Sequence, residues 1–315
     1  MPLRGWSSGV GLCWADVVTF SPDPSLAGFH ADELARRERR GELVRLRRGA
    51  YLRPVDLGHE PVDRHRQLIE ATLPLLNDDS VVSHLSAAVL HGLPVWNERL
   101  GRVQVTRVGG RGKCRGHVHV HVAPLTKDEV VLLNGLPVTS LGRTVVDLGR
   151  TLPMAQAVAA GDAALRGGLL VDDLGSALRL AQGRPGVSSA RRAAAMLDPR
   201  SESAGESSSR VVLNHLGLPP SDLQYEVYDE SGRLVGRSNF VWKEQRTLGE
   251  FDGRVKYGQL LRPGQTAGQA VFAEKLREDA MRDLGWQVAR WGWVDLEHER
   301  ELAERLLRAF RRGTR

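Results

Sequence analysis

The last third of the chain carries the pattern that most limits what this sequence can fold into. The predicted order is helix, three strands, helix, strand and helix, at residues 202–216, 224–228, 233–242, 246–252, 268–284, 286–291 and 296–310. The run Asp229-Glu230-Ser231-Gly232 favours a turn between the first two strands. Because Asp198-Pro199 interrupts the helical pattern just before this region, we predict a separate, compact α/β domain at residues 199–315.

The first two thirds of the chain predict a mixture of helices and strands. A short helix at 31–40 ends at Gly41, and residues 43–54 have the pattern of a hairpin that turns near Gly49. The other predicted elements are helices at 63–93 and 140–198 and two strands at 102–106 and 117–122, which flank a glycine-rich hairpin tip. Helices and strands that follow one another in this irregular order predict an α+β protein.

Arginines are concentrated around the predicted hairpin. The chain of 315 residues has a formal net charge of +6, which favours anionic partners and nucleic acid above all. Residues 36–53 contain eight arginines and two acids. A short helix followed by a hairpin is the order used by a winged helix, in which the helix enters the major groove and the hairpin lies along phosphates. The predicted groove contacts are Arg36, Arg37, Arg39 and Arg40, and the predicted phosphate contacts are Arg45, Arg47 and Arg48.

Two other interpretations of these arginines stay open at the level of sequence. They could form a solvated basic face, or an arm that binds an acidic protein.

Cysteine content and hydropathy predict a cytoplasmic protein without a membrane partner. The chain has only Cys13 and Cys114, which are too few for a disulfide framework and are not spaced as a metal-binding pair. Residues 1–18 lack the long apolar run of a signal peptide. No stretch approaches the roughly 20 apolar residues that a membrane-spanning helix needs.

Histidines give a weaker chemical signal. The predicted strand at 117–122 carries His117, His119 and His121 on one face, and three imidazoles near Cys114 could bind zinc. Zinc sites usually draw ligands from several elements, so an ordinary strand face is favoured. His84 and His91 fit the polar edges of a packed helix. Arg111, Lys113 and Arg115 fit either a phosphate contact or a solvated hairpin end.

Acidic and amide side chains lie close together on the predicted strands of the last domain. Glu250 and Asp252 share a strand face, and Asn239 lies on the preceding strand. Clustered oxygen ligands bind Mg²⁺, and a nearby lysine can orient or deprotonate an attacking water. The candidate metal ligands are therefore Asn239, Glu250 and Asp252, and the candidate catalytic residues are Glu206, Glu250, Asp252 and Lys256, with Mg²⁺ as cofactor if the site is active.

Several sequence blocks in the first half resemble one known family. Residues 42–51, ELVRLRRGAY, are similar to the wing of the AbiEi antitoxins, which share the pattern G-x-L-x-R-L-R-R-G-x-Y. Residues 83–94, SHLSAAVLHGLP, resemble the helix that opens the second domain of that family, and LPVTS at 136–140 and RTVVD at 143–147 extend the match. The resemblance implies a transcriptional autorepressor of a type IV toxin–antitoxin operon, with DNA and a cognate toxin as partners.

The last domain resembles a second family. The order helix-Glu, strand, strand-Glu-x-Asp and basic residue is similar to the PD-(D/E)XK nucleases, in the branch of the very-short-patch-repair endonucleases. Residues 272–279, FAEKLRED, and 285–291, GWQVARW, extend this likeness. The sequence departs from the family at two positions, because Asn239 stands where relatives carry aspartate and Asp252 stands where they carry lysine. An amide ligand brings no charge, so we expect weak metal binding and little cleavage.

Together these patterns predict three domains and one leading function. The domains are a winged helix at 1–58, a mixed α/β AbiEi-like domain at 59–198 and a restriction-endonuclease-like α/β domain at 199–315. The leading hypothesis is a DNA-binding regulator with a degenerate nuclease-like domain. The alternatives are a Mg²⁺-dependent DNA endonuclease and an antitoxin that acts by protein–protein contact.

Overall fold

The computed structural model describes residues 19–20, 31–77, 79–253 and 267–314. Over these residues the chain folds into two compact units, one ending at Ser140 and the other beginning at Leu141. Both units combine helices with β-sheet, so the fold class is α+β, as predicted. None of the described helices has both the length and the apolar character that crossing a bilayer requires.

The first unit contains three helices and nine strands among the described residues. They are β1 (Thr19–Phe20), α1 (Ala31–Arg39), β2 (Val44–Arg47), β3 (Ala50–Leu52), α2 (Pro61–Thr72), β4 (Val81–Val82), α3 (His84–His91), β5 (Val103–Arg107), β6 (Lys113–Arg115), β7 (Val118–Val122), β8 (Val130–Leu133) and β9 (Leu136–Thr139). The predicted helix at 31–40 and the predicted hairpin at 43–54 are confirmed. The region 63–93, predicted to be helical, contains two helices, α2 and α3, which are separated by the short strand β4. This strand pairs with β5 and β9 in the sheet.

The hairpin β2–β3 forms a small antiparallel sheet with β1, in the order β1-β3-β2. Gly49 at its turn has φ +81°, a conformation that favours glycine. The register shifts between Arg45 and Arg47, so the strand carries a local irregularity. Ala50 and Leu52 of β3 are buried, as is Leu34 of α1. These apolar positions leave the polar side chains of both elements to the surface.

A six-stranded sheet forms the main body of the first unit, in the order β6-β7-β5-β4-β9-β8. The prediction that a hairpin joins the strands at 102–106 and 117–122 is wrong, because β5 and β7 are parallel. The intervening segment instead forms β6, which pairs antiparallel with β7 on its outer side. One face of the sheet buries the alternate valines of β5 and Val82 and Val138 against Leu68 and Ile69 of α2.

The second unit contains eight helices and four strands among the described residues. They are α4 (Leu141–Thr151), α5 (Met154–Arg166), α6 (Val171–Leu180), α7 (Val187–Ala194), α8 (Ala204–His215), β10 (Asp222–Tyr228), β11 (Leu234–Trp242), β12 (Thr247–Phe251), α9 (Ala267–Asp283), β13 (Gln287–Trp291), α10 (Trp293–Glu297) and α11 (Glu299–Gly313). Every predicted element of the last third is present, and the final helical pattern is divided between α10 and α11.

The sheet of the second unit has the order β10-β11-β12-β13. The first three strands are antiparallel, and β13 runs parallel to β12 after the crossover through α9. Large apolar side chains cover one face, and Phe240 stacks on Trp291 with ring centroids 5.4 Å apart. The indole of Trp291 also donates to Ser209 Oγ of α8 at 2.8 Å, which orients this helix on the sheet.

The compact units do not follow the predicted domain boundaries. The predicted division at 198/199 lies inside the second unit, because α5 and α8 pack together there. Arg210 of α8 pairs with the buried Asp162 of α5 at 2.8 Å, and Asp162 also accepts from the Asp198 main-chain N–H at 2.7 Å. Helices α4–α7 therefore belong to the same compact body as the sheet β10–β13.

Candidate nucleic-acid interface and carboxylate cluster

Helix α1 is short, with acidic side chains at its N-terminal end and basic side chains at its C-terminal end. Asp32 and Glu33 lie in the first turn and the arginines in the last, where each charge is favourable to the helix dipole. Glu33 pairs with Arg36 at 3.0 Å and with Arg37 at 2.9 Å, so two of the predicted groove contacts are engaged within the helix. The hydrogen bond from Arg37 and the charge of Arg36 lower the pKa of Glu33, which keeps this acid ionised.

The other two arginines of this region are more available. Arg39 is exposed and has no acidic partner among the residues that the structure describes. Arg40 lies 3.8 Å from Glu42, and both side chains of this loose pair are exposed. Exposed pairs of this kind contribute little energy, so a phosphate can displace Glu42 at small cost.

The hairpin separates its three predicted phosphate contacts into two kinds. Arg45 and Arg48 are exposed and have no acidic partner in the described part of the chain. Arg47 is half-buried, and its Nε donates to the main-chain carbonyl of Ala71 in α2 at 2.7 Å. Burial lowers the pKa of Arg47. Arg47 thus ties the hairpin to the body of the unit, while Arg45 and Arg48 face solvent.

A second basic surface lies outside the predicted winged helix, at residues that the sequence leaves open as a phosphate contact or a solvated hairpin end. Residues 99–127 contain seven lysines and arginines and no acid, which is a signal that charge counting along the sequence can find. The structure places Arg111, Lys113 and Arg115 of this stretch in exposed positions at the β6 edge of the six-stranded sheet. We call these three residues the basic edge.

The histidines of the first unit form a cluster that differs from the predicted one. His84 stacks on His121 with ring centroids 3.6 Å apart, and His119 lies 4.0 Å from His121. His117 precedes β7 and is exposed, so it does not join them. Burial and the charge of Arg102 lower the pKa of His119. Among the described residues, no group of three or more His, Cys, Asp and Glu is arranged to hold a metal ion.

The predicted catalytic residue Glu206 lies in the capping interactions of α8. Ser203 precedes the helix and accepts from the Glu206 N–H at 3.2 Å. The Glu206 carboxylate accepts in turn from Ser203 Oγ at 2.9 Å, from the Glu202 N–H at 3.0 Å and from Gln224 Nε2 at 2.7 Å. Ser203 thus caps the helix, and the Glu206 carboxylate holds the residues just before it. Glu206 is buried, and its oxygens hold the start of the helix against β10.

Asn239 also makes a structural contact. Its Oδ1 accepts from the Phe251 main-chain N–H at 3.0 Å. The neighbouring Ser238 donates through Oγ to the Gly249 carbonyl at 2.9 Å. These two side chains link β11 to β12 beyond the last paired residues of the two strands, Phe240 and Gly249. The amide oxygen expected to bind a metal is therefore engaged by the backbone.

Glu250 is buried at the carboxyl end of β12, between two arginines. Its Oε1 lies 2.8 Å from Arg277 of α9, and its Oε2 lies 2.7 Å from Arg290 of β13. Glu274 contacts both guanidinium groups. Burial raises the pKa of Glu250, and the two arginine charges oppose this increase. Sequence reasoning missed both arginines, although each lies in a stretch that resembles the nuclease family.

Asp252 follows Glu250 and is about half exposed. Its N–H donates to the Trp291 carbonyl at 2.7 Å, and its Oδ2 lies 3.9 Å from Arg290 Nη1. Lys256, the fourth candidate catalytic residue, lies outside the described residues. The described donors do not fit Mg²⁺ well. This ion needs accessible anionic oxygens, and both carboxylate oxygens of Glu250 contact arginines instead.

Comparison with known proteins adds relatives without a described function. No family model matches the chain. Two curated proteins of Mycobacterium tuberculosis, "Uncharacterized protein MT2308" and "Uncharacterized protein Rv2248", are each 30% identical to it over 184 residues, which is 58% of this chain. The match spans 64% of the length of these relatives.

A solved structure, that of the Rv2827c protein from Mycobacterium tuberculosis, is similar with a TM-score of 0.37 and 17% identity. The alignment covers 68% of this chain and 84% of that chain.

Proposed function

We propose that this protein is a DNA-binding transcriptional regulator of the AbiEi type, in which α1 and the hairpin β2–β3 form the DNA-reading part of a winged helix. One observation carries the proposal: Arg39, Arg45 and Arg48 are exposed on these consecutive elements without an acidic partner among the described residues. A helix followed directly by an antiparallel hairpin is the arrangement that lets one element enter a groove and the other follow the backbone.

The charges favour phosphate contacts over a merely solvated face. A solvated basic face is usually interspersed with acids, as α1 is at Glu33, whereas Arg45 and Arg48 have no such neighbour. Each phosphate that a cation neutralises releases condensed counterions, which makes binding favourable and salt-dependent. Arg47 contributes by holding the hairpin in place, since its Nε is already donated to Ala71.

The basic edge extends this proposal to the six-stranded sheet. Lys113 and Arg115 lie on the edge strand β6, whose side chains are exposed, and the exposed Arg111 lies just before it. Unpaired cations at a sheet edge can contact phosphates without reading sequence. We therefore assign the basic edge an auxiliary role in affinity and leave specificity to α1.

Salt-dependent DNA binding tests the proposal. The affinity of the full chain for a labelled duplex is measured at several salt concentrations for the wild type and for a variant with both Arg45→Ala and Arg48→Ala. We expect weaker binding and a slope of log K against log salt reduced by roughly two. The matched control carries Arg233→Ala and Arg300→Ala, two arginines that are 82% and 89% exposed in the second unit. An unchanged slope in the hairpin variant, or an equal change in the control, contradicts the proposal.

The second unit supports a different candidate, a Mg²⁺-dependent DNA endonuclease. Its sheet has three antiparallel strands and a fourth parallel strand reached through a helix, and Glu250 lies at the end of the third. The engagement of Glu250 and Asn239 weighs against it, so we rank an inert nuclease-like module above an active one. Cleavage of plasmid and single-stranded DNA with Mg²⁺ or Mn²⁺, abolished by Glu250→Ala, would reverse this ranking. A cognate toxin as partner stays a prediction from the resemblance.

A further inference from the structure

The cluster around Glu250 contains more charge than an ordinary ion pair. Four carboxylates, those of Glu250, Asp252, Glu274 and Glu278, surround the guanidinium groups of Arg277 and Arg290. We propose that these two arginines occupy the place of the divalent cation in a nuclease-like site. Their positive charges would then exclude a metal ion, in addition to the effect of the uncharged amide at Asn239.

Both carboxylate oxygens of Glu250 are engaged in ion pairs. Each of its two oxygens faces a different guanidinium group at 2.7–2.8 Å, the distance of a charge-assisted hydrogen bond. A metal ion bound to either oxygen would lie within a few ångströms of two positive charges, because the nearby acids Glu274 and Glu278 are themselves paired with the guanidinium groups. Entry of a metal therefore requires an arginine to leave.

Arg290 holds its position because of the strand register. In the parallel pairing of β12 with β13, Glu250 lies directly beside Arg290. The same guanidinium lies 3.0 Å from Glu278 through Nε and contacts Glu274 through Nη2. Burial alone would lower the pKa of Arg290, but the surrounding carboxylates raise it overall, so the group stays charged.

Arg277 reaches the site by passing close over Gly236 of β11. A Cβ on Gly236 of β11 would lie 3.0 Å from Arg277 Cδ and 2.5 Å from Met281 Cε. The absent side chain gives the arginine stem a path over the strand, and its Nη1 then donates to the Arg237 carbonyl at 3.0 Å. Arg277 is thus built into the sheet by backbone and glycine, in addition to its carboxylate partners.

This inference rests on the nuclease-like part of the proposed function and is independent of the DNA-binding part. The arginines of the hairpin belong to the first unit, and the Glu250 cluster belongs to the second. Failure of the metal experiment below would leave the salt dependence of DNA binding unaffected, and the reverse also holds.

Binding of Mn²⁺ to the full chain tests the inference directly. Free Mn²⁺ is followed by its electron paramagnetic resonance signal, and the melting temperature is recorded with and without Mn²⁺. The variants are Asn239→Asp alone, and Asn239→Asp combined with either Arg290→Met or Arg277→Met, since methionine keeps much of the apolar stem. A matched control combines Asn239→Asp with Arg282→Met, which removes a guanidinium paired with Glu278 on the same helix without freeing Glu250.

We expect the wild type, the Asn239→Asp variant and the Arg282 control to bind Mn²⁺ weakly and to show no rise in melting temperature. The Arg290→Met and Arg277→Met combinations should bind Mn²⁺ more tightly, by on the order of tenfold, a typical effect of changing the groups around a metal site. Tight binding by Asn239→Asp with both arginines in place would overturn the inference. Absence of any gain in the combination that remains folded would also overturn it.

Discussion

The guanidinium group of Arg47 donates through Nε to the main-chain carbonyl of Ala71 at 2.7 Å, joining the hairpin to the C-terminal part of α2. The same side chain donates through Nη1 to the Arg48 carbonyl at 2.9 Å, which stabilises the turn. One arginine of the ELVRLRRGAY stretch is thus a structural tether, and its neighbours Arg45 and Arg48 are the exposed cations. This division separates two effects that a combined substitution would confuse.

We therefore predict opposite outcomes for two single substitutions in β2. Arg47→Ala removes a charged hydrogen bond to a main-chain carbonyl and should lower the free energy of unfolding by about 1.5 kcal/mol. Arg45→Ala should leave stability nearly unchanged and reduce the salt dependence of DNA binding by roughly one ionic contact. Urea unfolding and a salt series of binding measurements distinguish them. Equal destabilisation by the two variants would argue against the tether.

A second prediction concerns stability at acidic pH. Burial lowers the pKa values of His65, His91 and His119, although hydrogen bonds from the first two to main-chain carbonyls partly offset it. A folded-state pKa below the unfolded value means that the unfolded chain binds protons more readily. The stability that the neutral imidazoles provide is present above about pH 6.5, the unfolded value, and is lost as the pH falls below it.

Melting temperatures measured between pH 8 and pH 5 check this sign. We expect the transition of the first unit to fall steadily below pH 6.5. The variant His119→Asn should show a shallower fall, because it removes one of the three titrating groups. His59 is exposed, so His59→Asn is the control and should follow the wild type. A transition that is flat between pH 7 and pH 5 would contradict the assignment of neutral histidines in the folded first unit.

A third prediction assigns Glu206 to folding. Its carboxylate accepts three hydrogen bonds at the start of α8, so Glu206→Ala should lower the free energy of unfolding of the second unit by about 2 kcal/mol. Glu202→Ala removes an exposed pair with Arg237 and should cost well under 1 kcal/mol. Chemical unfolding of both variants gives the comparison. If the Glu206 variant is as stable as the Glu202 variant, the structural role of Glu206 is wrong, and a catalytic role becomes the better explanation.

The sequence predicted the elements of this protein better than it predicted their pairing. Hydrophobic periodicity indicated the helices and eight of the thirteen described strands, because burial of one face dictates it locally. It missed the other strands, which are β1, β4, β6, β8 and β9. Alternation along β5 and β7 looks the same whether the two strands are parallel or antiparallel, so it suggested a hairpin. The outcome depends on β6, which pairs outside β7 and leaves β7 beside β5.

The candidate sites show the same limit for contacts between distant residues. Exposure of Arg45 and Arg48 agrees with their place in a polar strand and turn. The tether from Arg47 to Ala71 spans 24 residues, and the contact of Glu250 with Arg277 spans 27. No local sequence pattern indicates contacts between residues this far apart in the chain. A buried glutamate also looks the same in the sequence whether it binds a metal ion or pairs with an arginine.

The final prediction concerns where the chain can be cut. The composition change near Asp198-Pro199 suggests a fragment 1–198, but the structure places Asp162 of α5 in the interior with Arg210 of α8 as its partner. Burial raises the pKa of Asp162, and the charge of Arg210 counteracts this. A fragment that ends at 198 keeps Asp162 and removes Arg210, along with the helix that packs on α5.

We expect residues 1–140 to give a better folded fragment than residues 1–198. In the longer fragment α5 loses the helix that covers its apolar face, and Asp162 loses its partner Arg210. Limited proteolysis should therefore remove α4–α7 from the 1–198 fragment and leave a core that ends near Ser140. Full-length Asp162→Asn serves as the matched test of the ion pair, since it keeps α8 in place and should be destabilised less than the truncation. Resistance of residues 141–198 to protease in the isolated fragment would show that these helices fold without α8.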